Sequence, residues 1–340
     1  MVQPRIQTTV VGSYPVPDWL VAAPSEQALK DAIRVVIDTQ RQLGIDLPVD
    51  GELYRYDINH PETNGMIEYF VSPLDNVRTR MTRSDIDSFG RQYGMGFRTR
   101  PAGVVEGPLG EGTLNLPADY RLSQSLTSGP LKLTLTSPYM LGKTLLDRHY
   151  KDRQALVFAI ADILAAQVAM IEAAVVQIDE ANLPGSPDDG PWVAEAINCI
   201  LDRVPKTPAL HMCFGNYGGQ SIQKGHWSKL IDFLNRLHAD HVVVELAFRG
   251  YDELAYFKDL RPEIGVGLGV IDIKRTVAES PDDVARAIGR AEQVLGEGRV
   301  TYVHPDCGFW MLKRNIADAK MRSLVKGRDL YLGSSGNGEG

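Results

Sequence analysis

Two hydrophobic periods take turns along the chain. Short apolar runs bounded by Gly, Pro or Asp alternate with longer stretches in which apolar residues recur every three or four positions. The run Leu131-Lys-Leu-Thr-Leu-Thr136 alternates with period two and stops at Ser137-Pro138, which predicts a strand. Seven further strands are expected, near residues 8–12, 47–51, 175–179, 208–213, 242–245, 265–270 and 300–304. Helices are expected over 25–42, 152–174, 192–203, 227–238, 251–259, 280–295 and 314–325. Ser25 and Ser280 stand at N-cap positions, Pro281 at the first helical position, and Gly44 just past a helix end.

Eight strands separated mostly by helices predict a parallel sheet, and hence an α/β fold that is a single (β/α)8 TIM barrel over residues 1–330. A doubly wound sheet is the alternative. No Gly-x-Gly-x-x-Gly follows a strand and opens a helix, as a dinucleotide site of that fold requires. Gly265, Gly267 and Gly269 fall inside a strand instead, where they allow close packing or ligand approach. Residues 53–130 scatter Gly, Pro and charge, with strand-like pieces at 97–105. They read as an insertion after the second strand, packed over one end of the core. Residues 331–340 are Gly- and Ser-rich and are expected to form a disordered tail.

Composition narrows the partners. The 340 residues carry a net charge of −7, with no basic stripe for nucleic acid or an anionic membrane surface. No apolar run approaches the roughly 20 residues of a membrane helix, and the N-terminus lacks a signal-peptide pattern. Three widely spaced cysteines make no disulfide framework and suit a reducing, cytoplasmic setting.

Candidate chemistry gathers at the strand ends, where barrel enzymes place their catalytic groups. In chain order these ends offer Ser13, Glu52, Ser137, Asp179 with Glu180, His211 with Cys213, Glu245, Asp272, and Asp306 with Cys307. On a strand, His211 and Cys213 at i and i+2 point to one face, and imidazole and thiolate are preferred zinc ligands. Glu245 and Cys307 each end another apolar run and are the candidates to join them. Cys199 sits within a helix pattern and reads as core. Two thiolates and a carboxylate more than neutralise Zn2+. Such a site is a poor Lewis acid toward a carbonyl and suits holding a substrate thiol as a nucleophilic thiolate. The reaction class is alkyl transfer to sulfur.

These residues carry a resemblance. Thr8-Thr-Val-Val-Gly-Ser-Tyr-Pro15, Asp50-Gly-Glu52-x-x-Arg55-x-Asp57, Gln177-Ile-Asp-Glu180, His211-Met-Cys213, Glu245 and Pro305-Asp-Cys-Gly308 together resemble the catalytic domain of cobalamin-independent methionine synthase and its single-barrel relatives. The resemblance implies zinc bound by His211, Cys213, Glu245 and Cys307, and homocysteine gripped by Ser13, Glu52 and Asp179. The family's Asp-Ile-His, whose His is proposed to protonate the departing folate, reads Asp272-Ile273-Lys274 here. Asp272 and Lys274 are therefore the catalytic candidates. A lysine at an exposed barrel mouth stays charged and is a poor general acid. The expected reaction is methyl transfer to homocysteine, giving methionine, from methyltetrahydrofolate or a methylated corrinoid, with folate used slowly. The alternatives are alkylation of another thiol such as coenzyme M, and a zinc-stabilised subunit that docks a corrinoid protein. Tyr14, Trp19, Tyr54, Tyr56, Phe214, Tyr217 and Trp310 are candidates for an aromatic wall at the mouth, and His304 for a place beside the metal.

Overall fold

The computed structural model describes residues 6–61, 63–93, 98–216 and 220–336. Ten strands run in chain order: β1 (Gln7–Thr8), β2 (Val77–Arg78), β3 (Gly103–Val105), β4 (Lys132–Thr136), β5 (Leu145–Asp147), β6 (Val175–Glu180), β7 (Thr207–Met212), β8 (His241–Val244), β9 (Gly265–Ile271) and β10 (Val300–Pro305). Seven of them form one curled sheet in the order β1-β10-β9-β8-β7-β6-β4, every pair parallel. The other three form a small sheet, β2-β3-β5.

The architecture is a barrel-like α/β fold whose hydrogen-bonded sheet is open. The strand expected at 47–51 makes no ladder. Its residues instead form single parallel bridges to both edges of the sheet, Thr9 with Leu47 and Val49 with Lys132. Leu47 N–H donates to Thr8 O at 3.1 Å and Lys132 N–H to Pro48 O at 3.0 Å. Pro48 lacks an N–H and interrupts what would be a continuous ladder.

Strand parity organises the interior. Leu133, Leu135, Val176, Ile178, Leu210, Val242, Val244, Val266 and Leu268 belong to the main apolar core shared with the helices. The alternate residues turn inward. At the bottom, Leu47, Val175 and Ala209 make a small separate apolar cluster against Tyr302. Above them come polar side chains, Lys132, Gln177, His211 and His304, all buried. The top layer is the site.

The helices match the sequence expectation closely where a cap marks the start. Ser25 Oγ accepts Ala28 N–H at 3.1 Å, opening helix Glu26–Gln42. A reciprocal Ser280–Asp283 capping box opens Pro281–Leu295. The 227–238 helix is a 3-10 turn, Trp227–Lys229, followed by a short helix, Ile231–Asn235. Helix Arg153–Val168, expected to reach 174, stops earlier and keeps Ala155, Asp162 and Ala166 exposed along one side. It packs against Leu116–Ser125, Pro138–Thr144 and Gly190–Leu201. The last helix runs Arg314–Gly336, so 331–336, expected in a tail, are helical, and 337–340 lie outside the described residues. Residues 53–130 hold helices Glu68–Val71, Arg83–Tyr93 and Leu116–Ser125 together with β2 and β3. Among the described residues no helix is long and apolar enough to cross a membrane.

Candidate metal and thiol site

The ends of β7 and β10 bring His211, Cys213 and Cys307 together, with ligand atoms all within 4.8 Å of one another. His211 is buried, and its Nδ1–H donates to Val243 O at 3.0 Å. That bond fixes the tautomer and leaves Nε2 a lone pair. Among the described residues Nε2 is buried without a partner, as the free donor of a metal-ligating imidazole is. Burial holds the imidazole pKa down to about 3, so it is neutral, as a ligand must be. The two Sγ atoms lie 4.0 Å apart and are not bonded. Contact with Cys307, then burial, pushes the Cys213 thiol well up. A dication reverses that order by stabilising the thiolates. The donor set therefore fits zinc chemistry.

A register shift of β10 against β9 between His304 and Pro305 precedes the turn carrying Cys307. Asp306, fully buried, accepts N–H bonds from Leu246, Ala247 and Phe248 at 2.7–2.9 Å. One carboxylate thus ties the β8 and β10 ends together. A side chain on Gly269 would overlap Asp306, which accounts for that glycine inside β9. Cys199 lies on helix Gly190–Leu201, packed against the core away from the site.

Glu245 lies nearby but is held by other partners. Its Oε1 pairs with Lys274 Nζ at 2.6 Å and its Oε2 accepts Phe214 N–H at 2.8 Å. It is not among the three clustered ligand residues. Lys274, expected at an exposed mouth, has a side chain only 2% exposed. Burial alone would lower its pKa, but the attraction of Glu245 outweighs burial and leaves it raised. Asp272 accepts Lys274 N–H at 2.8 Å and pairs with Arg275 at 3.3 Å. Neither Asp272 nor Lys274 lines the cavity that the three ligands share.

That cavity, about 410 Å³, also presents Ser13, Glu52 and Asp179. Glu52 has φ +60°, a left-handed conformation uncommon outside glycine. Asp50 holds it there by accepting Glu52 N–H at 2.9 Å. Its carboxylate takes Thr134 Oγ1–H at 2.5 Å and pairs with Arg55 at 3.1 Å. Arg55 is buried, donates to Thr134 O and lies over the rings of Tyr54, Tyr69 and Phe70. Gly12 and Gly308 make room: a methyl group on the first would overlap Glu52, and on the second Ser13 Oγ.

The outer wall comes from Met140, Ile222 and Trp310, with Met66, Ile67, Arg98 and Arg100 from residues 53–130. Of the expected aromatic wall, Trp310 lines this cavity. Phe214 packs inward on Trp227, Trp19 is 40% exposed, and Tyr217 lies outside the described residues. His304 is buried with Nδ1–H donating to Pro305 O at 2.7 Å. Sequence reasoning missed Lys132 and Gln177 as a bridge. The signal for Lys132 was present: it falls on the inward parity of a strand buried on both faces.

A barrel-like parallel sheet with a His/Cys/Cys group at its C-terminal mouth defines a metal-dependent class of enzyme. Residues 6–328 match the family described as cobalamin-independent synthase, catalytic domain, and the chain belongs to it. It is 28% identical to a methionine synthase of Thermococcus kodakarensis, covering 96% of this chain and 94% of that one. Against a methionine synthase of Pyrococcus horikoshii the identity is 27%, over 96% and 93%. A B12-independent methionine synthase from Shewanella sp. W3-18-1, solved in complex with selenomethionine, superposes with a TM-score of 0.81 at 20% identity, over 97% and 98% of the two chains.

Proposed function

We propose that the chain is a zinc-dependent homocysteine S-methyltransferase that makes methionine, the complete (β/α)8 barrel being closed by residues 47–49. The observation that carries this reading is one cavity holding a clustered His/Cys/Cys donor set beside the carboxylates of Glu52, buried, and Asp179, half-buried. Zinc bound to His211, Cys213 and Cys307 supplies a positive centre that keeps the substrate sulfur deprotonated at neutral pH. Everything else falls to the protein. Asp179 and Glu52 take the substrate ammonium, and Ser13 its carboxylate. Arg55 keeps the Glu52 carboxylate aimed. Glu245 stands as a reserve fourth ligand, restrained by Lys274. Met66, Ile67, Met140, Ile222 and Trp310 exclude water from the transferring methyl group.

Lys274 does not serve as a general acid, because its proton is committed to Glu245 at 2.6 Å. A donor whose leaving group needs protonation is therefore used slowly, and a methylated corrinoid faster. Product analysis with homocysteine against methyltetrahydrofolate and methylcobalamin tests this. Methionine formed from neither donor, or alkylation only of a thiol lacking an ammonium group, such as coenzyme M, overturns it.

A further inference from the structure

The two carboxylates of the cavity are supported differently. Glu52 has a guanidinium of its own, that of Arg55. Among the described residues Asp179 pairs with no cation directly. Its Oδ1 accepts Gln177 Nε2–H at 2.7 Å, and the same nitrogen donates to Val11 O at 3.0 Å. The oxygen of that amide accepts from Lys132 Nζ at 2.8 Å. One donor on the oxygen and two acceptors on the nitrogen leave the amide a single orientation. Reversed, its NH2 would face an ammonium and its carbonyl would face two oxygens.

Lys132 is 2% exposed, and Gln177 is the hydrogen-bond partner of its Nζ among the described residues. An ammonium buried with so few partners is costly unless its charge is used nearby. The charges in reach are Asp179 and Glu52, which pull its pKa up while burial pushes it down to about 7. Burial, then Glu52, pushes Asp179 up to about 7, with Gln177, Arg55 and Lys132 pulling the other way.

We infer that Lys132 is a positioning residue for amino-acid recognition: through Gln177 it orients the Asp179 carboxylate, leaving Oδ2 for the ammonium group of the thiol substrate. This rests on the acceptor reading above and extends it to residues beneath the cavity. Lys132 and Gln177 do not line the cavity, so their effect passes through Asp179.

The test is binding of homocysteine and of its desamino analogue, 4-mercaptobutanoate, to the zinc-loaded protein by calorimetry. Wild type prefers homocysteine. Lys132→Met and Gln177→Met each shrink that preference about tenfold, with zinc content and binding of the analogue unchanged. In an Asp179→Asn background, Lys132→Met adds little further loss. Should Lys132→Met fail to fold, Gln177→Met breaks the same relay while keeping the lysine. Full wild-type preference in the folded variants, or a loss that adds fully to that of Asp179→Asn, overturns the relay. Wild type that does not distinguish the two thiols overturns the acceptor assignment instead.

Discussion

The two sides of the cavity are built on opposite principles. On the side of His211, Cys213 and Cys307, His211 Nε2 is buried without a partner among the described residues, and the two Sγ atoms lie 4.0 Å apart. On the side of Glu52 and Asp179, the protein supplies the partners: Arg55 and Thr134 for one, Gln177 for the other. A buried polar atom without a partner costs free energy that a bound ion returns, so the first side is completed from outside. Partnered carboxylates are held in place before substrate arrives, so the second side orients what it receives.

The largest expected effect is on the unpartnered side. Cys307→Ala or His211→Ala abolishes stoichiometric zinc binding and activity together, while the circular dichroism of the barrel persists. Metal analysis of the purified variants checks it, and zinc retained at wild-type level would dissolve the contrast. On the partnered side, Glu52→Gln or Asp179→Asn keeps zinc and raises the Michaelis constant for homocysteine. A lost charge-assisted bond costs about 1.5–3 kcal/mol, or roughly ten- to a hundredfold.

Glu245 combines the two cases, a ligand type held by internal partners. Lys274→Met releases its carboxylate, so zinc affinity rises by about tenfold, read by competition with a chromophoric chelator. The metal-free variant melts lower, because a buried carboxylate loses its cation. Unchanged zinc affinity would show that Glu245 does not reach the ion.

The smallest effect is nil at neutral pH. Burial holds His304 down to about 4, against about 6.5 when unfolded. The unfolded chain therefore binds a proton below 6.5 that the folded chain refuses until about 4. Stability from this group is fully present above 6.5 and is lost as pH falls through that window. His304→Gln removes the dependence, so the melting-temperature gap between wild type and variant shifts between pH 6.5 and 4 and is constant above.

Much of this was legible in the chain. Period-two and period-three-to-four patterns placed the seven ladder strands and the capped helices, because local backbone geometry and side-chain caps act within a few residues. His211, Cys213 and Cys307 could be paired from strand-end position alone, since a parallel barrel brings all its strand ends to one face. Other features depended on contacts distant in sequence. Residues 47–51 looked like a strand, yet Pro48 and two sheet edges reduced them to bridges. Lys274 looked exposed at a rim until Glu245, 29 residues away in sequence, drew it inward. Lys132 is inward on its strand by parity, but the partner it meets there, Gln177, is 45 residues away in sequence. Periodicity reports which face of an element is apolar. Which partner meets each face, and whether a charge there finds a counter-charge or water, was decided by the tertiary structure.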